Sequence, residues 1–532
     1  MFNYIYKKMH YLKIKNQESA FSPMEDTKDD NSLVDNFERN LNTFKDLLGV
    51  NTDVVIRDFL FGHNKANKSA IIYIEGITDK SVINDNIIKP IIYDLLLLPN
   101  DKEARNVSID TIKSTLISVG NIKKSSSINN LIDSCLSGNS ILLVNDSNEA
   151  LIISTVGGEK RSVEEPKTEA SVRGPREGFT EALKTNLSLL RRKIKSADLT
   201  FETVTIGEKT KTNVSIAYIK GIATKELIDE IKNRLNKIKI DSILESGYIE
   251  QLIEDAPFSI FSTIGNSEKP DIVSAKLLEG RAAIFVDGTP FVLTVPMVFI
   301  ENFQSSEDYY SRPYFASMLR ILRFFAYGLS ILAPATYVIL SSFHQELIPT
   351  PLLFTMAASH EGVPFPSAVE AFIMIITFEI LREAGVRLPR PVGQAVSIVG
   401  ALVIGESAVN AGIIGAPMVI VVAITAVSSF VVPAQTDSGA ILRIILLLLA
   451  GFMGGFGILI GLLGLMVHMA SLRSFGTPYL SPIAPLSIGD LKDSFIRSPL
   501  WMMNKRPKGI AFNSSKRQAD DMKPKHPKKK DN

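Results

Sequence analysis

The residues of this 532-residue chain that are most suited to a chemical role are two glutamates inside an apolar segment, residues 364–381. An ionised carboxylate at membrane depth is costly, so it faces either a water-filled cavity or a charged partner. Glu370 and Glu379 are nine residues apart, which puts them on opposite sides of a straight helix. We therefore interpret Glu370 as a pore or vestibule residue and Glu379 as a carboxylate near the inner membrane interface, paired with Arg382 or Arg387. An interhelical ion pair or an interfacial carboxylate is the alternative for both.

The residues near Glu370 in the sequence are of types that could gate a pore. His360 begins the loop "HEGVPFP", and an unperturbed imidazole titrates near neutral pH; a structural contact in the loop is the alternative. Pro364 and Pro366 stand at the entrance to the Glu370 helix, where proline fixes the entry angle and forms either a hinge or a rigid turn. Residues three, four and seven positions after Glu370 share its helix face. The candidate pore or gating residues are Glu370, Ile373, Met374, Thr377, His360, Glu361, Pro364 and Pro366.

Motifs for enzymatic chemistry are absent from the sequence. The stretch "GEKTKT" at residues 207–212 lacks the spacing of a phosphate-binding loop. There is no G-x-S-x-G nucleophile motif, and no two of the six histidines lie at metal-ligand spacing. We therefore expect no enzyme, no catalytic residue, no metal site and no cofactor. The single cysteine, Cys135, excludes an intramolecular disulfide.

Apolar segments dominate residues 320–470. Three of them are uncharged and long enough for a bilayer crossing: residues 324–343, 411–432 and 444–467. Three weaker segments cross only where protein surrounds their backbone: residues 347–359, 364–381 and 391–405. Basic residues precede the first span, share one connecting loop and fill the C-terminal tail, which keeps both termini and the N-terminal half inside. An even number of crossings, four or six, follows from this arrangement.

Closely spaced glycines mark the last of these segments. Two pairs four residues apart create small helix faces that permit close packing, either within the bundle or between subunits. The candidate packing residues are Gly451, Gly455, Gly457 and Gly461.

A polybasic stretch, "KPKHPKKK", lies near the C-terminus. It predicts either a solvated tail that supports the inside orientation or a contact with anionic membrane lipid. The net charge of the whole chain is only +2. Because no nucleic-acid-binding fold accompanies the basic stretch, we expect no nucleic-acid partner.

The N-terminal half contains an internal repeat. "IYIEGITDK" from Ile72 resembles "AYIKGIATK" from Ala217, and "LSGNSILLVND" from Leu136 resembles "LEGRAAIFVDG" from Leu278. The two offsets, 145 and 142 residues, are nearly equal. Strands rich in β-branched residues, glycine turns and following helical periodicity predict two related α/β lobes. If so, the lobes superpose with Gly76 over Gly221 and with Val144 over Val286.

The predicted fold is therefore multi-domain, with two tandem related α/β lobes followed by an α-helical transmembrane bundle of four to six hydrophobic segments. Between the lobes, a basic helix near residues 186–194 is either a solvated linker or a contact surface for a partner. The predicted domains are an N-terminal extension (1–49), lobe 1 (50–155), a basic linker with a helix (156–196), lobe 2 (197–297), a connector (298–317), the transmembrane bundle (318–472) and a C-terminal basic tail (473–532).

Several long segments of the chain resemble the A subunits of spore germinant receptors, the GerA type. They are "GPREGFTEALKTNLSLLRRKIK", "FHQELIPTPLL", "EGVPFPSAVEAFIMIITFEILREAGVRLPRPVGQAVSIVGALVIG" and "HMASLRSFGTPYLSPIAPL", and the resemblance extends roughly over residues 53–486. Two positions depart from the family pattern. His360 stands before "EGVPFP" where the family usually has arginine, and residues 433–444 are unusually polar.

The resemblance implies a role in starting the germination of bacterial spores. Such subunits are integral proteins of the spore inner membrane, and here both termini and the N-terminal lobes would lie in the spore core. The implied partners are a transporter-like B subunit and a lipoprotein C subunit of the germinant receptor. The implied activity is that of a homo-oligomeric nutrient-gated ion channel, for which the resemblance suggests a pentamer. The alternative is a non-conducting membrane signalling scaffold whose soluble lobes recruit partners; a secondary transporter fits less well.

Overall fold

The computed structural model describes residues 32–62, 67–93, 108–157, 165–166, 169, 171–387, 405–510, 516–519 and 522–524. The segment at residues 391–405, apart from its last residue, and most of the polybasic stretch lie outside these ranges. The chain divides into two compact units. One contains residues 1–159 with 195–197, and the other contains residues 160–194 and 198–532.

The first unit contains lobe 1, a five-stranded sheet in the order β1-β2-β4-β5-β3 in which all neighbours are antiparallel. Helices cover both faces of the sheet, and the central strand β4 is buried along its whole length. The strands are β1 (Val54–Phe61), β2 (Asn67–Ile74), β3 (Ile122–Ser125), β4 (Ser140–Val144) and β5 (Ala150–Ile153). The helices are α1 (Phe37–Leu48), α2 (Lys80–Ile83), α3 (Lys89–Ile92), α4 (Ile109–Thr111) and α5 (Ile128–Leu136), with π-helical turns at Asn84–Ile88 and Ile112–Leu116.

Helix α1 belongs to this lobe. Its apolar face, which includes Phe44 and Leu48, is buried in the same core as β2 and α5. The structure therefore places residues 37–48, which the sequence analysis assigned to an N-terminal extension, inside the first lobe.

Lobe 2 repeats the architecture in the second unit, with the sheet order β6-β7-β9-β10-β8 and antiparallel neighbours throughout. The strands are β6 (Leu199–Ile206), β7 (Thr212–Ile219), β8 (Gly265–Ser267), β9 (Ala282–Val286) and β10 (Val292–Val295). The helices are α6 (Leu183–Lys193), α7 (Lys225–Lys237), α8 (Ser246–Ile253) and α9 (Pro270–Leu278).

The predicted duplication is confirmed by matching topology and register. Ser69 of β2 pairs with Val144, and Val214 of β7 pairs with Val286, so the two valines occupy equivalent positions. Gly76 and Gly221 follow the equivalent strands with φ of 89° and 78°, a left-handed conformation that glycine adopts without steric cost.

The residues that cap the following helices explain one difference between the repeats. Asp79 accepts hydrogen bonds from the backbone N–H groups of Ser81 and Val82, and Thr224 accepts one from Leu227. Aspartate and threonine are both favoured at this position. The repeats therefore conserve a folding function with different side chains.

The basic helix α6 forms part of lobe 2. Leu187 and Leu190 are buried in its core. Arg191 is also fully buried; its guanidinium donates to the Leu199 carbonyl at 3.0 Å and lies 4.7 Å from the centre of the Phe201 ring. The helix is therefore not a solvated linker, because Arg191 is satisfied inside the lobe. The exposed Arg192 leaves a partner surface as a prediction.

The rest of the second unit begins with a connector, formed by a 3-10 turn at Phe299–Phe303 and α10 (Glu307–Tyr310), and continues as a helical bundle. The bundle helices are α11 (Pro313–Ser342), α12 (Thr350–His360), α13 (Ser367–Arg387), α14 (Ala416–Phe430) and α15 (Thr436–Ser471). Among the described residues, two helical stretches, Pro313–Ser342 and Pro433–Ser471, are long and apolar enough to cross a membrane. Ala416–Phe430 is apolar but shorter.

Helix α15 reverses direction at Gly454, whose φ of 58° and ψ of −140° are not helical. A Cβ atom on Gly457 would lie 2.2 Å from the carbonyl oxygen of Leu449, and one on Gly461 would lie 2.7 Å from Leu446 Cδ2. Residues eight positions apart on a straight helix are separated by about 12 Å. The element therefore consists of two antiparallel arms, residues 436–453 and 455–471.

The four predicted packing glycines all lie at close contacts within the chain. Besides Gly457 and Gly461, Gly451 of the first arm faces Ala368 of α13, with 3.2 Å between a built Cβ and the alanine Cβ. Gly455 faces His344, with 3.3 Å to its Nε2. The small residues thus let the two arms and their neighbours approach closely.

The C-terminal part of the unit returns to lobe 2 after the second arm. The Phe299 N–H donates to the Tyr479 carbonyl at 2.8 Å, and the Met297 N–H donates to Ser474 Oγ at 2.9 Å. Tyr479 is fully buried. Much of the region that the sequence analysis assigned to a basic tail is therefore packed against the lobe and the connector.

The reversal at Gly454 predicts opposite effects of alanine at two glycines of the second arm. Gly457→Ala has to push the arms apart and should destabilise the protein by about 1–3 kcal/mol, as overpacking does. Gly464→Ala, where no atom lies within 4 Å of the new Cβ, should be neutral or stabilising by up to about 1 kcal/mol. Thermal unfolding in detergent measures both. Equal stabilisation by the two substitutions would instead indicate one straight helix.

Candidate functional site

A polar cluster lies inside the apolar bundle, where α11, α12, α13 and α14 meet. Glu370 is fully buried, and its Oε1 lies 3.1 Å from His360 Nδ1. The other ring nitrogen of His360 lies 2.9 Å from the hydroxyl of Tyr337. Glu370 Oε2 accepts a hydrogen bond of 2.9 Å from the Gly415 N–H. We call Tyr337, His360, Glu370 and Gly415 the buried relay.

Local structure positions each member of the relay. Glu370 is in the first turn of α13, and His360 is the last residue of α12, so the short connection between these helices brings them together. Gly415 is the N-cap residue of α14, where backbone N–H groups and the helix dipole favour a carboxylate. A Cβ on Gly415 would lie 3.2 Å from the imidazole ring, so the glycine lets the ring approach the backbone.

The relay can hold a proton in two arrangements. When the imidazole is charged, His360 and Glu370 form an ion pair and the Tyr337 oxygen accepts a hydrogen bond. When both are neutral, the proton lies on Glu370 Oε1 and faces Nδ1 across the 3.1 Å contact, and the ring still donates from Nε2 to the Tyr337 oxygen. Either arrangement leaves the buried carboxyl group with polar partners, as a low-dielectric interior requires.

The other predicted site residues are distributed around Glu370 in different environments. Met374 is buried in the bundle core, and Ile373 and Thr377 are half-buried. The Thr377 hydroxyl donates to the Ile373 carbonyl at 2.9 Å. Glu361, Pro364 and Pro366 are exposed. The face of Glu370 is therefore turned into the protein interior.

A second ion cluster lies nearer to lobe 2. Glu379 Oε2 lies 2.8 Å from Arg382 Nη2, one of the two partners expected from the sequence, whereas Arg387 pairs with Glu383. Glu379 Oε1 also lies 2.7 Å from Nη1 of Arg443, a buried residue on the first arm of α15. Arg443 in turn donates through Nε to the Ser330 carbonyl of α11. The cluster therefore joins three helices.

Sequence reasoning did not identify Tyr337, Gly415 or Arg443. For Arg443 a usable signal existed, because it is a charge beside an apolar run and such charges seek partners at similar depth. For Tyr337 and Gly415 no local signal points to the site, because their roles arise only from the packing of distant helices.

A third network lies where the bundle meets lobe 2. Arg320 of α11 is fully buried; its Nε lies 2.7 Å from Asp308 of the connector and its Nη1 lies 2.8 Å from Asp493 of the C-terminal segment. Arg323 adds a contact of 2.9 Å to Asp308. We call Asp308, Arg320, Arg323 and Asp493 the juxtamembrane network. It ties three separate parts of the chain together.

Glu301 anchors the connector to lobe 2. Its Oε1 lies 2.5 Å from Arg281 Nη1 and its Oε2 lies 3.2 Å from Lys276 Nζ. Burial alone would raise the pKa of Glu301, but the charges of Arg281 and Lys276 outweigh burial and lower the pKa below its usual range. The ionised carboxylate is therefore the form that the fold stabilises.

Metal binding has no candidate among these clusters. Within the described ranges, no group of three or more His, Cys, Asp or Glu side chains is placed to hold a metal ion.

The chain is similar in sequence to known proteins over most of its length. The model of the Bacillus/Clostridium GerA spore germination protein family matches residues 42–509. The spore germination protein KA of Bacillus subtilis (strain 168) is 47% identical over 489 residues, which cover 91% of this chain and 89% of that protein. The spore germination protein GerLA of Bacillus cereus is 39% identical over 473 residues, which cover 88% of this chain and 95% of that protein.

A solved structure is also similar, the crystal structure of the N-terminal domain of the A subunit of the Bacillus megaterium spore germinant receptor GerK3. It is 41% identical, covers 50% of this chain and 97% of that chain, and gives a TM-score of 0.40.

The buried relay predicts that Glu370 matters for stability in a way that its exposed neighbour does not. Glu370→Ala leaves the Gly415 N–H and His360 without their partner and should destabilise the protein by about 3–5 kcal/mol. Glu361→Ala, on the exposed connection nine residues earlier, should change stability by less than about 0.5 kcal/mol. Unfolding in detergent compares the two variants. Equal, small effects would show that Glu370 is not buried.

The lowered pKa of Glu301 predicts a pH dependence of stability. Its ionised form contributes above the unfolded-state pKa of about 4.3, and the contribution is lost as the pH falls through the lower folded-state value. Glu301→Gln should therefore be less stable than the wild type at pH 7 and should lose less further stability toward pH 3. The exposed Glu208→Gln is the matched control and should follow the wild-type curve. Parallel curves for Glu301→Gln and the wild type would contradict the assignment.

Proposed function

The chain belongs to the Bacillus/Clostridium GerA family of spore germination proteins, and we propose that it is the A subunit of a nutrient-responsive germinant receptor that works as an oligomeric ion channel. The family membership supports a role in spore germination. The channel, its oligomeric assembly and its place in the spore inner membrane are parts of the proposal. Its partners would be the B and C subunits of the same receptor.

The observation that carries the channel proposal is the buried relay. A bundle that only anchored a protein in lipid would need no ionisable group in its interior, since each such group costs free energy unless it is paired. Here Glu370 is fully buried in the bundle, and the side chain of His360, which is 22% exposed, lies 3.1 Å from it. The relay connects four helices, so breaking or protonating it would change how all four pack. We therefore assign Glu370 to gating, because in this conformation it is closed off from the outside of the bundle.

The helix directions support a membrane-crossing bundle with both ends on the side of lobe 2. The first arm of α15 runs alongside α11, since Gly439 lies against Tyr327 and Gly454 against Phe343. The second arm returns, and its His468 reaches Ser259 of lobe 2 at 3.0 Å. Helix α13 runs back toward lobe 2, because its Ala368 lies against Gly451 whereas its Glu379 pairs with Arg443, nearer the start of the first arm. Helix α14 runs beside it in the same direction, from Gly415 at Glu370 to Phe430 at Phe378. The number of crossings, four or six, stays a prediction, because most of the segment between α13 and α14 lies outside the described residues.

The lobe side of the bundle carries the connection that would transmit a signal. Arg320 and Arg323 hold the start of α11 to the connector and the C-terminal segment. A displacement of lobe 2 would therefore act directly on the first crossing helix. In the proposed receptor, the lobes lie in the spore core and the B subunit is the nutrient sensor.

Ion flux tests the proposal. The variant Glu370→Gln keeps the size of the side chain and an acceptor for Gly415 but loses the charge that faces His360. A hydrogen bond to a charged group contributes about 1.5–3 kcal/mol, so we expect the closed state to weaken and nutrient-independent flux to rise by about tenfold or more. The measurement is cation release from liposomes that contain the full receptor and from spores that carry the variant.

Two controls make the flux experiment decisive. Glu361→Gln, on the exposed connection, should leave flux unchanged, and Thr377→Leu should alter flux only if the Glu370 face of α13 approaches the pore. If the reconstituted receptor conducts no ions in any variant, the non-conducting scaffold becomes the better description. Unchanged flux in both Glu370→Gln and Thr377→Leu would remove α13 from the gate.

A further inference from the structure

The C-terminal segment, residues 483–502, has a surface unlike that of a soluble protein. Its exposed large side chains are mostly apolar: Leu486, Ile488, Phe495, Ile496, Leu500 and Trp501. Scattered single apolar residues are normal on a protein surface, but a contiguous set of this size marks a contact with another apolar phase.

The segment is fixed in place with its polar groups turned inward. Asp493 pairs with Arg320, and the Arg497 N–H donates to Ser317 Oγ at 3.1 Å. The Gln304 side-chain amide donates to the Asp493 carbonyl at 2.7 Å. The exposed apolar face is therefore held toward the outside by bonds to α11 and the connector, and it is not the random face of a loose tail.

The position of this face points to lipid. The Phe495 ring lies 4.8 Å from the ring of Phe324, where the long apolar run of α11 begins. At the same level α11 exposes Ile321, Leu322 and Phe325. The apolar face of the segment is thus continuous with the outer face of a membrane-crossing helix, at the depth where that helix enters the bilayer.

Aromatic and basic residues at this level agree with a bilayer boundary. Tryptophan and tyrosine concentrate at the membrane–water interface, and Lys or Arg side chains near the surface are attracted to anionic lipid. Lys523 lies 5.5 Å from the centre of the Trp501 ring, and Lys505 and Lys508 are exposed nearby along the chain.

We propose that residues 483–502 form an interfacial membrane anchor, with Phe495, Leu500 and Trp501 in the layer between headgroups and acyl chains and the flanking lysines toward anionic phosphates. This inference rests on the proposed membrane insertion of the bundle. It gives the region after the last crossing a function of its own, because the anchor would hold the juxtamembrane network at a fixed depth while the lobes move.

The chain offers a built-in probe, since Trp501 is its single tryptophan. The full chain is reconstituted in nanodiscs of phosphatidylglycerol and phosphatidylcholine, with or without bromine on the upper acyl carbons. Bromine quenches tryptophan only at contact range. We expect brominated lipid to reduce Trp501 emission by at least half, while iodide in the aqueous phase has little effect.

A second variant separates failure of the anchor from failure of membrane insertion. In Trp501→Phe/Leu463→Trp, the probe moves to an exposed position in the middle of the second arm of α15, and lipid brominated near the bilayer centre should quench it strongly. If this probe is quenched by lipid but Trp501 is quenched only by iodide, the segment lies in water and the anchor is wrong. If Trp501 responds to neither quencher, another protein surface covers it and the anchor is equally wrong. If the Leu463→Trp probe is not quenched by lipid, the proposed membrane insertion itself fails.

Discussion

A charged side chain inside an apolar bundle needs an oppositely charged or hydrogen-bonding partner, and the arrangement of the helices depends on this constraint. Glu370 is paired with His360 and with the N–H of Gly415, which come from two other elements. Glu379 is paired with Arg382 and Arg443. Each carboxylate therefore fixes the rotation and depth of α13 against its neighbours, because a helix that turned or slid would leave an ion without a partner at a cost of several kcal/mol. Dispersion alone would permit many packings of such apolar surfaces; the two ion clusters select one.

The two lobes show how one folding pattern serves different surroundings. Their sheets share strand order and register, and their turns share the left-handed glycines Gly76 and Gly221. Lobe 2 adds contacts to the bundle and the C-terminal segment through Ser259, Thr263 and Met297. Duplication supplied the stable sheet, and the loops at one end of the second copy became the attachment for the helices.

Much of this architecture could be predicted from particular residues. The repeats around Gly76 and Gly221 determine local turns, so their pattern survives in the sequence and predicted the duplicated sheets. Glu370 stood out because a carboxylate is rare in an apolar run. Its contact with His360 could not be predicted, since that distance depends on the turn between α12 and α13. The burial of Arg191 could not be predicted, because a basic helix usually lies on the protein surface. Inside the lobe, its guanidinium packs on the Phe201 ring and donates to a backbone carbonyl. The reversal at Gly454 could not be predicted either. No charge or proline interrupts the apolar run, and the sequence does not show which glycine adopts a non-helical φ.

That reversal decides at which end of the helical bundle the chain continues after α15. A straight α15 of 36 residues would extend about 54 Å, far more than the roughly 30 Å hydrocarbon core, and would deliver residues 473–532 to the face opposite lobe 2. With the turn at Gly454, the chain after α15 comes back toward lobe 2, and its Asp493 pairs with Arg320, which also holds Asp308. The end of the bundle at which the chain continues therefore depends on the backbone conformation of Gly454. Relatives that lack a residue able to adopt it would need a further helix to bring the chain back, or would have to build the contact with α11 from a different part of the chain.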